Sequence, residues 1–394
     1  MIKILQEQNC CGCSACVNIC PKHCISMVSN SEGFKYPAVN ETECISCGRC
    51  RQACPILNKK KIDENQRSPL VYAAINQNDE TRMASSSGGL FTLLAERIFA
   101  RGGVVYGACF SKDYRHVYHK SVTDMKALSE LRGSKYVQSD LRFVYKEIKE
   151  NLLQKKFVLF SGTPCQVEGL KSFLGKEHET LLCVDLICHG VPSPKVWARY
   201  VEEKEREYGA KCKKVVFRNK KYGWDKYHVS FEFLNEKIYC ESLSNDPYMR
   251  AFLRNITLRE SCSNCCFKKK NRVSDLTIAD FWGVKEYCPN MYDNKGTSLA
   301  FIHTTKGELF FEEISEALLK QVVDFEKAIA YNPSMIESSK VSKYRTVFFK
   351  NLDKKNVTKL LKVYTKNRRG IKGLIASFLD KIGLLNVAKK LIKK

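Results

Sequence analysis

Eight cysteines fall in two identical runs near the start of the chain: Cys10, Cys13, Cys16 and Cys20 before Pro21, then Cys44, Cys47, Cys50 and Cys54 before Pro55. The spacing C-x2-C-x2-C-x3-C-P suits 4Fe-4S cubanes. Three closely spaced thiolates wrap one corner of a cluster. The fourth, three residues further on and turned away by the proline, reaches the neighbouring cluster. The ligand sets are therefore expected to cross over, with Cys10, Cys13, Cys16 and Cys54 on one cluster and Cys44, Cys47, Cys50 and Cys20 on the other. Zinc is the alternative, but its sites pair two C-x2-C knuckles and have no use for a third cysteine two residues on. Cys11 and Cys24 lie outside the runs and are expected not to be ligands.

Such a doubled run is that of two-cluster bacterial ferredoxins, and it predicts a ferredoxin module over residues 1–58. The chain has 394 residues, enough for more than one domain. Twenty cysteines would suggest disulfides in a small secreted protein, but the opening MIKILQEQNC has no apolar signal core and the spacing is that of metal ligands. A cytoplasmic, reduced-thiol protein is expected. No stretch approaches the roughly 18–20 apolar residues of a spanning helix. The formal charge of +24 is uneven, with thirteen Lys or Arg against two Asp over residues 353–394. That block predicts a basic, helical, amphipathic tail over 351–394 that either packs on the body or lies peripherally on an anionic membrane face. An iron-sulfur nucleic-acid binder ranks last, because the charge sits in the tail instead of interleaving with aromatics over a groove.

The elements that must position this chemistry follow from hydrophobic pattern. Residues 58–68 read as a polar linker. Beyond it, apolar runs alternate with amphipathic segments: a strand over 71–75, a helix opening at Gly88-Gly89 and running through Phe99, a strand over 104–110, and short buried strands at 157–161 and 181–187. Residues 215–240 read as β-rich, and 262–283 as a cysteine loop continuing into a strand. The expected fold is α+β or α/β: a ferredoxin module, a mixed α/β body, and the tail. Gly162-Thr163-Pro164-Cys165 and Cys188-His189-Gly190 should lie at strand C-terminal ends, where open sheets bind ligands.

Clusters carry single electrons, so a two-electron collector is expected beside them, and flavin is the natural one. The chain has no G-x-G-x-x-G and no Walker loop. Ser85-Ser86-Ser87-Gly88-Gly89 before an apolar-periodic helix could receive a pyrophosphate on free N–H groups, or could be an ordinary serine cap. Gly133-Ser134-Lys135-Tyr136 is, unaided, a loop with a lysine. Cys262 and Cys265 form a two-residue-spaced pair that cannot complete four-coordination alone. The loop thiols could supply the rest, Cys266 could replace Cys265, and zinc or plain buried thiols remain open.

SSSGGLFTLLAERI, GGVVYGACF, LRGSKYVQS, VLFSGTPCQVEGL, DLICHGVPSP and a late C-x2-C followed by SDLTIADFWG occur in an order that resembles the coenzyme F420 hydrogenase/dehydrogenase beta-subunit family, over residues 1–345. The resemblance implies an iron-sulfur flavoprotein carrying FAD, with a flavin-binding body whose family parts span 68–190 and 191–350, and with Ser87, Gly88, Gly89, Gly133, Ser134, Lys135 and Tyr136 near the flavin. It also implies that Cys165, Cys188, Cys262 and Cys265 gather, as a third 4Fe-4S cluster. Lys135 and His189 are the candidates for catalytic work. His189 could protonate a substrate near neutral pH or make a structural hydrogen bond. Ala279, where many relatives have Gly, departs from the pattern beside the Asp280-Phe281-Trp282-Gly283 wall. Two readings follow. One is a reductase that acts on a small organic substrate or deazaflavin, fed by an electron-donor protein or a deazaflavin or nicotinamide coenzyme. The other is a non-catalytic electron-transfer subunit.

Overall fold

A computed structural model describes residues 1–4, 6–58 and 68–366. Most of the linker reading and the tail beyond residue 366 lie outside the described residues.

In the N-terminal module, strands β1 (Ile25–Ser29) and β2 (Lys35–Val39) form an antiparallel hairpin. Each cysteine run leads into a short helix, Ala15–Ile19 and Arg49–Gln52. The runs repeat one backbone device. The residue two after the first cysteine (Gly12, φ 72°; Ser46, φ 52°) and the one after the second (Ser14, φ 59°; Gly48, φ 74°) are left-handed. Two left-handed residues in a five-residue arc curl the chain so that successive thiols face one centre. Serine at such an angle is strained by roughly 1–2 kcal/mol, and here the strain serves the wrapping.

The body is an eight-stranded mixed sheet. Its strands are β3 (Leu70–Asn76), β4 (Val104–Phe110), β5 (Val117–Val122), β6 (Val158–Ser161) and β7 (Leu181–Leu186). A separate three-stranded antiparallel meander follows: β8 (Cys212–Asn219), β9 (His228–Phe233) and β10 (Ile238–Ser242). The large sheet is completed by β11 (Leu276–Asp280), β12 (Ser298–Ile302) and β13 (Leu318–Val322), in the order β13-β3-β12-β11-β7-β6-β4-β5. Its centre, β11-β7-β6-β4, is parallel. Leu159, Leu182 and Val184 are fully buried there, as expected of strands covered on both faces. Strands from both sides of residue 190 share this sheet, so one core spans the two expected body segments.

Helix Val357–Thr365, inside the stretch read as tail, is part of the body. Glu203 accepts the N–H groups of Val357 and Thr358 at 2.6 and 2.8 Å, satisfying donors that a helix start leaves open. Val357, Leu360 and Leu361 are buried in the core beneath the meander. Among the described residues no helix is long and apolar enough to cross a membrane.

Candidate functional site

Two hollows in the N-terminal module hold the paired thiols. One is lined by Cys10, Cys13, Cys16 and Cys54. The other is lined by Cys20, Cys44, Cys47 and Cys50. Each set takes three thiols from one run and the fourth from the other, the crossover that the spacing predicts. Among the described residues no three Cys, His, Asp or Glu close around a single ion. Thiols spread around a hollow suit a cubane's four corners better than one tetrahedral zinc. Cys11 lines the first hollow and Cys24 the second, where its sulfur lies 3.5 Å from that of Cys20. Cys47 is exposed, so the second hollow is the outer one.

A third group of thiols lies inward. Cys165 stands in the first turn of helix Pro164–Leu174, directly after β6, and Thr163 Oγ1 is 3.1 Å from its sulfur. Cys188 follows β7. Cys262 and Cys265 belong to the turn around Glu260–Asn264. That turn is brought to Cys188 by a short antiparallel zipper in which Ser193 N–H donates to Thr257 O, Arg259 N–H donates to Val191 O, and Pro192 bridges Leu258. Gly190 permits the approach, since a Cβ there would lie 2.8 Å from Leu258 and 3.3 Å from Cys262. Every pair among Cys165, Cys188, Cys262 and Cys265 is within electrostatic reach. Burial first, and then the neighbouring thiols, push Cys188 well above the usual thiol range and Cys262 up to about 12. Four such groups ionise together only when a cationic centre takes up their charge. The ammonium of buried Lys268 lies within reach of Cys188, Cys265 and Cys262 and donates to His189 O at 3.2 Å.

The inner group and the first hollow share a wall. Gly169 lies one turn beyond Cys165 on the same helix face, and a Cβ there would fall 2.9 Å from Cys13 Cβ and 3.0 Å from its sulfur. Gly169→Val is therefore expected to displace Cys13 and remove about four irons from the N-terminal module, measured as iron per chain. Arg259, fully buried, fixes the module to the body. Its guanidinium donates to Cys10 O at 2.8 Å, Gln138 Oε1 at 3.1 Å and Lys35 O at 3.0 Å, and lies 4.2 Å from the centre of the Tyr36 ring. Gln138 in turn donates to Cys11 O at 3.2 Å.

Against this geometry, residues 155–328 match the family described as the C terminus of the coenzyme F420 hydrogenase/dehydrogenase beta subunit, and residues 9–57 match the 4Fe-4S dicluster domain. The chain carries the C-terminal domain of that beta-subunit family behind a dicluster module. The match over 155–328 contains Cys165, Cys188, Cys262 and Cys265. An uncharacterised protein of Methanocaldococcus jannaschii is 20% identical over 207 residues, which is 45% of this chain and 56% of that protein. The chain thus spans little more than half of that relative. An uncharacterised ferredoxin of the same organism is 31% identical over 70 residues, 16% of this chain and 90% of the ferredoxin. A chain of the F420-reducing nickel-iron hydrogenase complex from Methanosarcina barkeri superposes with a TM-score of 0.46 at 16% identity, covering 79% of this chain and 97% of that one.

In this beta-subunit-like body the loops expected near a flavin do meet. Ser134 N–H donates to Ser86 Oγ at 2.8 Å, and the two hydroxyl oxygens are 3.0 Å apart. The N–H groups expected to be free at the helix start are not all free. Gly88 N–H donates to Ser298 Oγ at 2.8 Å and Ser87 Oγ donates to Thr297 O at 3.0 Å, so this part of the loop is stitched to β12. Gly89 caps helix Leu90–Phe99 in a left-handed conformation. The open side is at Gly133, beside which no atom lies within 4 Å of a Cβ position, and at Arg132, whose buried Nε has no hydrogen-bond partner. Neither hollow described above reaches these loops. Tyr136 packs against Phe252, ring centres 4.9 Å apart, and its hydroxyl accepts from Arg218 at 3.3 Å.

Lys135 and His189 are both committed to the fold. Lys135 donates to Glu130 O, Leu131 O and Arg132 O, each at 2.9 Å, using all three ammonium protons on the end of helix Met125–Leu131. Burial pulls Lys135 down to about 7, against the opposing pull of Cys109 and Glu130. His189 Nε2 is 2.6 Å from Asn255 Oδ1, the ring also bonds the backbone of Phe252, and burial lowers its pKa against the pull of these two bonds. The reading of residues alone did not single out Gly169, Arg259 or Lys268, none of which carries a signal in the sequence.

Proposed function

We propose that the protein is an iron-sulfur flavoprotein oxidoreductase that passes single electrons from an outer cubane through an inner one to a third cubane on Cys165, Cys188, Cys262 and Cys265, and from there to FAD. The observation that supports this is the gathering of those four thiols, from a helix start, a loop after β7 and the Glu260–Asn264 turn, against the wall of the first N-terminal hollow. The flavin would supply conversion between one- and two-electron steps. Ser86 and Ser134 would bind its pyrophosphate, with Arg132 Nε as a further donor and Gly133 leaving room. The substrate class is a small organic acceptor or a deazaflavin coenzyme. An electron-donor protein would approach at exposed Cys47, since electrons enter where a cluster reaches the surface.

Placing the flavin at Ser134 leads to a direct test. Ser134→Asp sets a carboxylate where the pyrophosphate belongs, so flavin per chain should fall at least tenfold while iron stays unchanged. Full flavin in that variant would remove the placement. Gly88→Asp is a poor substitute, because a Cβ at Gly88 would lie 2.5 Å from Ala74 O and disturb the sheet itself.

A second reading is favoured by the family's description as a beta subunit and by the engagement of Lys135 and His189 within the fold. In it the chain relays electrons and a partner protein performs the chemistry. Anaerobically reduced protein should be reoxidised by a small acceptor in the absence of any other protein if the first reading holds. Reoxidation only by a cognate protein would establish the second.

A further inference from the structure

Helix Val357–Thr365 has two unlike faces. Val357, Leu360 and Leu361 point into the core, and both helix ends are tied down: Glu203 caps the start, and Arg250 and Arg254 donate to Thr365 O at the end. On the other face stand Lys359, Lys362 and Val363, with Lys366 at the helix end. Their i, i+3, i+4, i+7 spacing aligns them, and all four are exposed. Val363 is 65% exposed in the midst of the three lysines. The grouping recurs one helix earlier, where exposed Val347 on helix Arg345–Asn351 falls in sequence between exposed Lys343 and Lys350. Tyr364 packs the two helices together, its ring centre 5.8 Å from that of Tyr344 and 6.1 Å from that of Phe348.

The charge on this surface is not neutralised within the described chain. Residues 340–366 hold eight lysines, all exposed, one arginine and a single acid. The ion pairs of this stretch are Arg345 with Glu32, and Asp353 with Lys195 and Arg199, so among the described residues the eight lysines have no carboxylate partner. In sequence, residues 367–394 add eight Lys or Arg against one Asp, together with eleven Leu, Ile, Val or Phe. Three kinds of partner carry enough negative charge: a nucleic acid, an acidic protein or an anionic bilayer. Nucleic acids are gripped with arginine and with aromatic rings that stack on bases, whereas this face offers lysine and aliphatic side chains. An acidic protein would satisfy the lysines and leave the valine at their centre without a use. A bilayer suits both, since headgroup phosphates meet the lysines and the acyl boundary beneath takes up the valine. We propose that the outer face of helix Val357–Thr365 docks the protein onto an anionic phospholipid bilayer, with Lys359, Lys362 and Lys366 at the headgroup phosphates and Val363 inserted among them. The docking concerns where the protein works and is independent of the third cubane.

The test is cosedimentation of the anaerobic full chain with vesicles of phosphatidylglycerol mixed with phosphatidylcholine, and with vesicles of phosphatidylcholine alone. The chain should bind the first and not the second, and more weakly as salt is raised. Each lysine near an anionic surface contributes about fivefold, so the combined Lys359→Gln, Lys362→Gln and Lys366→Gln variant should partition onto the anionic vesicles about a hundredfold less. Glutamine is a good helix former and these positions are exposed, so iron per chain should be unchanged. Val363→Ser should weaken vesicle binding several-fold while leaving any binding to polyglutamate, an acidic chain with no apolar layer, as it was. Loss of vesicle binding in the lysine variant with none in Val363→Ser would make the face a general polyanion site and overturn the bilayer. Vesicle binding that survives the lysine variant unchanged would place the contact elsewhere and overturn the docking face. Equal binding to both kinds of vesicle would overturn it as well.

Discussion

Cys262→Ser is expected to lower the iron of the anaerobically purified chain from about twelve to about eight per molecule, leaving the signals of the two N-terminal cubanes in place. The reasoning starts from charge. Cys188, Cys262 and Cys265 are pushed up by burial and by one another, so the group is stable as thiolates only around a cationic core. Removing one of four ligands leaves three thiolates and Lys268 around an incomplete core, which the site cannot hold. The N-terminal sets use none of these residues and should be untouched. The loss should show as about one third of the iron and of the acid-labile sulfide. Unchanged iron would mean that the inner thiols are only packed side chains.

Arg259→Ala is the substitution expected to affect stability most. It removes three hydrogen bonds from a charged donor and leaves the carbonyls of Cys10 and Lys35 without their partner inside the protein. Hydrogen bonds to a charged group contribute about 1.5–3 kcal/mol each and are not additive, so a loss of about 3–4 kcal/mol is expected, concentrated where the module meets the body. Arg259→Lys should recover little of it, because an ammonium cannot reproduce the planar fork that reaches three acceptors at once. Denaturant unfolding gives the energy, and limited proteolysis shows whether the N-terminal module is released first. A change under about 1 kcal/mol would mean that other contacts, such as the Arg345–Glu32 pair, hold the module.

Much of the fold was legible because it follows local pattern. The run VVYGACF forms β4 at the expected 104–110, and the helix expected from Gly88-Gly89 through Phe99 forms with Gly89 as its cap. The crossed grouping of the eight thiols around two hollows was legible as well, since proline after the fourth cysteine dictates a turn away. What escaped is what depends on distant partners. A basic amphipathic helix has the same pattern whether its apolar face meets a membrane or a protein core, and nothing near 357–365 announces that Glu203 caps it. The Lys135 and His189 side chains have suitable chemistry, but availability is decided by acceptors elsewhere: three carbonyls at a helix end for one, Asn255 for the other. Arg259 lies between Leu258 and Glu260 in an unremarkable stretch, and only the docked module shows what it holds.

The most direct test of the account is the joint stoichiometry of iron, sulfide and flavin in the unaltered chain, purified without oxygen. Three cubanes feeding one flavin require about twelve irons, about twelve sulfides and one FAD per chain. About eight irons with no flavin would contradict it, leaving a ferredoxin module on a body whose inner thiols carry no cluster.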